Sequence, residues 1–444
     1  MTRATIILLL LVGGCGGGTS GGGQDAAAGG SDGGGGYAWG GGTLPIPQCG
    51  YAITTRDGAN PPAQGSPMLG ADPTPWGLHL GLVGDPTTSM AITWRTNDDT
   101  TLASTVQYGV GDKTDQTVEG ITFAYQTLGY SKDSVRIHQG HLCGLMPGTT
   151  YSYRVGGKDA SGKEAWSPVY QFHTAPAKGA AGADFVVGVI GDTRDQTGKY
   201  DQWGTMLGRI ASIATPDLVL FSGDGTSLGT IQVEWDAFLK QAEPVLRQTP
   251  LVFAQGNHEI SAVNYYSQFP MPGDQEFFGF DDGPLHVSVL DDTPMMASDV
   301  MTKGTPFLDH DLTAAAGAPW KVVLHHRPMY SSGILHGSNL DLRAIWAPVV
   351  DAHQVDLVLN GHEHNYERTK PLRGGKVQAS TTMGTTYVVA GSAGAPLYAV
   401  GTSDFTALSK KAYSFLVVKA RVGNLTLTAY DDTGAVLDTL TMMK

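Results

Sequence analysis

The sequence predicts a multidomain protein, an all-β sandwich followed by an α/β layered domain, behind an apolar leader and a glycine-rich stretch. Three observations predict it. Residues 75–177 carry short runs that alternate at strand period, separated by Gly, Asp, Asn and Pro. From Asp184 onward, apolar runs of strand length alternate with helical periodicity. Of the 61 glycines in 444 residues, 17 lie before Thr43, so the excess over an average near 7% is partly a tail.

The length exceeds one ordinary core. The formal charge, 28 − 41 = −13, argues against a nucleic-acid partner, whose phosphates are neutralised by Lys and Arg. No basic run reverses that. Three cysteines are too few for a disulfide scaffold.

Taken in order, residues 1–15 read as a signal peptide of lipoprotein type. Arg3 is basic, Ala4 to Val12 is apolar, and the run is too short for a hydrocarbon core of about 30 Å. Val12-Gly13-Gly14-Cys15 resembles a bacterial lipobox, in which Cys15 becomes a lipid-bearing first residue; the alternative is an ordinary signal with a chance cysteine. Residues 16–43 hold fifteen glycines in 28 positions and read as a disordered tether. Residues 44–74 read as an irregular lead-in. Export implies an oxidising compartment, where Cys49 and Cys143 either pair or remain separate thiols.

Met90–Trp94, Ser104–Tyr108, Arg136–His138 and Thr150–Val155 are the clearest strands of the sandwich. Leu145–Tyr151 resembles the turn into a late strand of fibronectin type III domains, with Tyr151 as a core and corner residue. Residues 178–182 read as an Ala/Gly linker, and 183–444 as the α/β domain.

Within that domain five apolar runs end in polar clusters. Phe185–Ile190 leads to Gly191-Asp192, Leu218–Ser222 to Gly223-Asp224, and Leu251–Ala254 to Gly256-Asn257-His258. Val322–Leu324 leads to His325-His326, and Leu357–Leu359 to Gly361-His362-Glu363-His364. A lone strand-end Asp is commonly a helix cap or turn former. Five clusters in succession, each ending a strand where α/β sheets bind ligands, are poorly explained as caps. Oxygen and imidazole donors without cysteine suit Zn, Mn or Fe. Two carboxylates, one amide and three imidazoles exceed one tetrahedral ion and fit two ions sharing a carboxylate, the pair that clamps a phosphoryl displacement.

These segments, with His326-Arg327-Pro328-Met329-Tyr330 and Gly361-His362-Glu363-His364-Asn365-Tyr366-Glu367-Arg368, resemble the ordered motifs of metallophosphoesterases. The preceding sandwich and the last two motif contexts are similar to purple acid phosphatases in particular. The resemblance runs from about Trp76 to the C-terminus. It implies a four-layer αββα catalytic domain of the calcineurin-like superfamily. It also implies that Asp224 bridges two metals, with Asp192 and His364 on the first and Asn257, His326 and His362 on the second. His258 would protonate the leaving oxygen or hold the phosphate. His336 falls where the family often has another phosphate-facing histidine, and His325 reads as a residue that supports the ligands from behind or as a packing residue.

Two departures stand out. The family's Gly-Asp-x-x-Tyr, whose tyrosine binds ferric iron, reads here Gly223-Asp224-Gly225-Thr226-Ser227. The histidine that other metallophosphoesterases place two residues after the first Asp is Arg194. The first metal therefore lacks its usual fourth protein ligand, and an iron–zinc pair of the purple type is not implied. Arg194 faces either the phosphate, as a charge clamp, or solvent in a salt bridge. The expectation is an exported, metal-dependent phosphomonoesterase acting on small phosphate esters. The alternatives are a phosphodiesterase or nucleotidase on the same scaffold, and a binding protein with a decayed metal site.

Overall fold

The computed structural model describes residues 42–56, 71–97, 104–126, 134–158, 161–178, 184–195, 197–293 and 300–444. The signal peptide with Cys15, residues 16–41 of the tether and 179–182 of the linker lie outside the described residues.

The segment expected to be an irregular lead-in opens with a hairpin. Strands β1 (Gly42–Ile46) and β2 (Tyr51–Thr55) pair antiparallel, and Gly50 closes the turn at φ 69°. Leu44, Ile46 and Ile53 supply a buried face that packs with Phe123, Val135 and Ile137 of the sandwich. Alternation in five-residue strands was the signal, and it is short enough to pass for loop. Cys49 and Cys143 are joined as a disulfide, which resolves the open pairing and ties the hairpin across 94 residues of sequence.

The sandwich has two sheets. One contains β3 (Trp76–Gly81), β4 (Ser89–Thr96), β7 (Ile121–Gln126) and β8 (Ser134–Cys143); β5 (Thr105–Val110), β6 (Gln116–Glu119), β9 (Thr150–Lys158), β10 (Glu164–Trp166) and β11 (Tyr170–His173) form the other. Tyr151 is buried, and its hydroxyl accepts the Met146 amide at 2.9 Å, the corner role expected of it.

The sandwich does not end at its own edge. Strand β3 pairs in parallel with β14 (Pro250–Phe253), through Leu80 and Gly81 opposite Pro250 and Leu251. Strands β12 (Phe185–Ile190), β13 (Leu218–Phe221) and β14 thereby join the sandwich strands in one ten-stranded sheet. The sheet's other end is β24 (Ser414–Arg421), β25 (Asn424–Asp431) and β26 (Val436–Met443). Arg95 of β4 forms a buried ion pair with Asp236 and stacks on Trp76 at 4.4 Å, which locks the sandwich to the helix carrying Asp236.

A second, seven-stranded sheet orders β15 (Phe277–Asp282), β16 (Leu285–Leu290), β17 (Trp320–Leu324), β18 (Leu357–Asn360), β22 (Thr386–Ala390), β19 (Tyr366–Thr369) and β23 (Thr406–Lys410), while β20 (Leu372–Arg373) and β21 (Lys376–Val377) pair as a separate ribbon. Its central strands are apolar on both faces, as parallel strands covered on both sides must be. Val322, Leu324, Leu357, Leu359 and Val388 point into the core shared with the first sheet. Their neighbours Val323, Val358 and Tyr387 point into a separate core. Period-two alternation thus divides two layers of side chains. Helices α1 (Asp201–Ala214) and α2 (Gln232–Leu246) cover the first sheet, with Trp203 stacked on Phe238 at 4.9 Å. Beyond α3 (Val263–Gln268), helices α4 (Thr305–Ala314) and α5 (Leu340–Ala352) cover the second through Leu308, Leu312 and Trp346. The result is the four-layer domain with its sandwich.

Candidate metal centre

The strand-end clusters converge because β12, β13 and β14 run parallel in one sheet, and β17, β18 and β22 in the other. Each of Asp192, Asp224 and His362 leaves its strand through a glycine and enters the left-handed region, at φ 55°, 58° and 69°. Such strain in residues other than glycine is kept where the surroundings demand it, commonly at functional sites. Adjacent loops then lace together. The Asp192 amide donates to the Gly223 carbonyl at 2.9 Å, and the His362 amide to the Asp192 carboxylate at 3.0 Å. Two of the glycines are required by close approach. A Cβ on Gly361 would stand 2.3 Å from Asp192 Oδ2, and one on Gly256 would stand 2.3 Å from Asp224 Oδ1.

Two donor groups result among the described residues. Asp192, Asp224 and His364 bring ligand atoms within 4.8 Å of one another, and so do Asp224, His326 and His362. Asp224 belongs to both. Asp192 and Asp224 are buried, and so are His326 and His364. Backbone carbonyls set the imidazoles. His326 Nδ1 donates to Ser222 O at 2.8 Å and His364 Nδ1 to Pro396 O at 2.8 Å, leaving each Nε2 turned inward. His326 Nε2 lies 3.3 Å from Asp224 Oδ1 and 3.2 Å from His362 Nδ1. Asn257 Oδ1 is buried without a hydrogen-bond partner among the described residues, as is Asp224 Oδ2.

The electrostatics demand positive charge here. Burial depresses the His326 imidazole, but Asp224, Asp192 and Asp292 outweigh it and push its pKa up to about 10. Burial and the neighbouring His326 bring His362 down to about 2, so its lone pair is free to ligate. Burial raises Asp224, yet His326 and His258 hold its carboxyl well below the usual range. Protonated His326 and the Arg194 guanidinium meet part of this demand, and a cation ligated by the carboxylates and imidazoles would displace that proton and the guanidinium.

Around this cluster stand the other expected residues. His258 Nδ1 donates to Ser227 O at 2.6 Å, which aims Nε2 inward, 3.7 Å from Asp224 Oδ2. Arg194 is not a surface ion pair. Its Nε lies 3.5 Å from Asp224 Oδ2, and its Nη2 lies 3.2 Å from His364 Nε2. The His336 ring packs 4.4 Å from that of His362. His325 bonds Asp292 at 3.1 Å and packs edge-on against Trp346, behind the ligand residues and within reach of either role expected of it.

Sequence reasoning missed three residues. Glu259 accepts the amides of Asp224, Gly225 and Gly256 at 2.7–2.9 Å and so shapes two ligand loops at once. Glu363 accepts the amides of His336 and Gly337 and holds that loop against the centre. Tyr398 stacks on His364, ring centroids 3.9 Å apart, and its hydroxyl accepts from Arg194 Nη2 at 3.4 Å. The signal for Tyr398 was present: Tyr387–Ala390 is a sixth apolar run ending in glycine.

Residues 75–174 match the family described as "Purple acid Phosphatase, N-terminal domain", and residues 185–366 match "Calcineurin-like phosphoesterase". Purple acid phosphatase 18 of Arabidopsis thaliana is 28% identical over 339 residues, covering 71% of this chain and 70% of that protein. Acid phosphatase type 7 of Mus musculus is 28% identical over 369 residues, covering 72% and 78%. Among solved structures, purple acid phosphatase PPD1 from yellow lupin seeds superposes with a TM-score of 0.71 at 21% identity, covering 83% of this chain and 74% of that one.

Proposed function

Because the chain is a purple acid phosphatase-like metallophosphoesterase, and so a metal-dependent phosphoric ester hydrolase, we propose that it is an exported phosphomonoesterase with a dinuclear centre built on a shared Asp224. The observation that carries the reading is the pair of donor groups with one carboxylate in common. On this reading Asp192, Asp224 and His364 would hold the first cation, and Asp224, His326 and His362 the second, with the unpartnered Asn257 Oδ1 as a further donor to it. When bound, two such cations lower the pKa of water and neutralise the charge of a transferring phosphoryl group.

The chain's own residues supply the rest. His258, anchored through Nδ1, holds a proton at Nε2 and passes it to the departing alkoxide oxygen. Arg194 and His336 face the phosphoryl oxygens and stabilise their charge. Four glycine-preceded turns and the amides received by Glu259 keep these groups in position before substrate arrives. With a net charge of −13 the protein repels phosphate esters at long range, so local positive charge must dominate. Export and a lipid anchor at Cys15 rest on the leader, and the Cys49–Cys143 disulfide supports an oxidising compartment. A kinetic panel of monoesters, diesters and nucleotides tests the reading. Preference for a diester or nucleotide, or turnover unaffected by a chelator, would refute it.

The active protein should be colourless. Ser227 stands at the family's tyrosine position, its amide and carbonyl engaged by Glu234 and His258. The tyrosines near the motifs are committed elsewhere: Tyr200 to Glu234, Tyr366 to Asp438, and Tyr330 to packing with Tyr387. Without a phenolate donor, Zn, Mn or Fe(II) suit the first site better than Fe(III). An intense visible band from an iron-containing sample, with metals counted by mass spectrometry, would contradict this.

A further inference from the structure

The loop after β22 is built onto the first donor group. The Ala393 and Ala395 amides donate to the carbonyls of Gly191 and Asp192 at 3.0 and 2.9 Å, and the Tyr398 amide to the His364 carbonyl at 3.0 Å. Pro396 receives His364 Nδ1. Tyr398 is therefore held at both ends of its reach, its ring parallel to the His364 imidazole within 17° and inclined at 62° to His336, 5.6 Å away.

That stacking decides what the hydroxyl can do. A ligand to His364 lies in the imidazole plane, whereas a ring stacked on its face carries its oxygen off that plane. Tyr398 is thus poorly disposed to bind the cation that His364 would hold. Its hydroxyl accepts from Arg194, and its own proton has no acceptor among the described residues. Arg194 is bound to the same patch through Asp224 and His364. A half-buried, oriented donor beside a guanidinium is a site for an anionic oxygen.

We propose that Tyr398 is a substrate-contact residue, donating its hydroxyl proton to a non-bridging phosphoryl oxygen that Arg194 also contacts, and thereby favouring monoesters over diesters. The inference rests on the phosphomonoesterase reading. A monoester dianion presents three non-bridging oxygens and a diester two, so an additional donor is used fully only by the monoester.

Tyr398→Phe keeps the stacked ring and removes only the hydroxyl. In metal-loaded protein, inorganic phosphate binding measured by calorimetry should weaken about tenfold or more, as loss of a hydrogen bond to a charged group implies. The KM for a monoester should rise in parallel, diester kinetics should change less, and metal content should stay as in the parent. Unchanged phosphate affinity would overturn the proposal, and so would loss of a cation, which would make Tyr398 a support of the metal site. Turnover by the unaltered protein separately tests the reading beneath it. A parent that binds phosphate yet hydrolyses only diesters would refute the phosphomonoesterase assignment, while the Tyr398→Phe titration would still decide the contact.

Discussion

Replacing Asp224 with asparagine should abolish hydrolysis and release at least one cation. Asp224 is the one residue common to both donor groups, and it is buried. One of its oxygens already receives the His258 amide at 2.9 Å, and the other has no hydrogen-bond partner among the described residues. An amide cannot supply a bridging anion, and its NH₂ group would turn donor protons toward inward-facing nitrogens. The loss should be far more than tenfold in kcat, a factor worth about 1.4 kcal/mol. The check is metal content and turnover on one preparation. A variant that keeps both cations and more than about a tenth of parental kcat would contradict the shared-carboxylate assignment.

His258→Ala should slow esters of poor leaving groups by about 10² to 10⁴ and spare esters of good ones, such as nitrophenyl phosphate. A good leaving group departs without protonation, so only the poor one would need a proton delivered from Nε2. The cations should remain, since His258 belongs to neither donor group. Kinetics across leaving groups of graded acidity make the measurement. Equal losses throughout would make His258 a phosphate-binding residue.

Much of the centre was legible because one rule generated it. Parallel strands buried on both faces read as apolar runs, each ended in a glycine-led polar cluster or a histidine pair, and parallel order within each of the two sheets sets those ends side by side. Asp192, Asp224, Asn257, His326, His362 and His364 were found together for that reason. The direction of Arg194 was not legible. Its neighbours Asp224 and His364 come from strands in two different sheets, and no spacing along the chain encodes that approach. Tyr398 followed the same strand-end rule as the rest, but seven residues of Gly, Ser, Ala, Pro and Leu separate it from its strand and read as an ordinary turn.

The wider fold divides in the same way. Alternation revealed the sandwich, since each of its strands has its own inward face. The β3–β14 pairing that merges sandwich and catalytic sheets involves residues about 170 positions apart, for which neither strand carries a local signature. The pairing of Cys49 with Cys143 depended on the β1–β2 hairpin, whose five-residue strands gave too little periodicity to identify.

The central claim, two cations astride Asp224, is tested most directly by anomalous diffraction from crystals grown with zinc or manganese. The account predicts two peaks about 3.5–4 Å apart, one among Asp192, Asp224 and His364 and the other among Asp224, Asn257, His326 and His362. A single peak beside His326 and His362, with Arg194 still seated on Asp224 and His364, would contradict it.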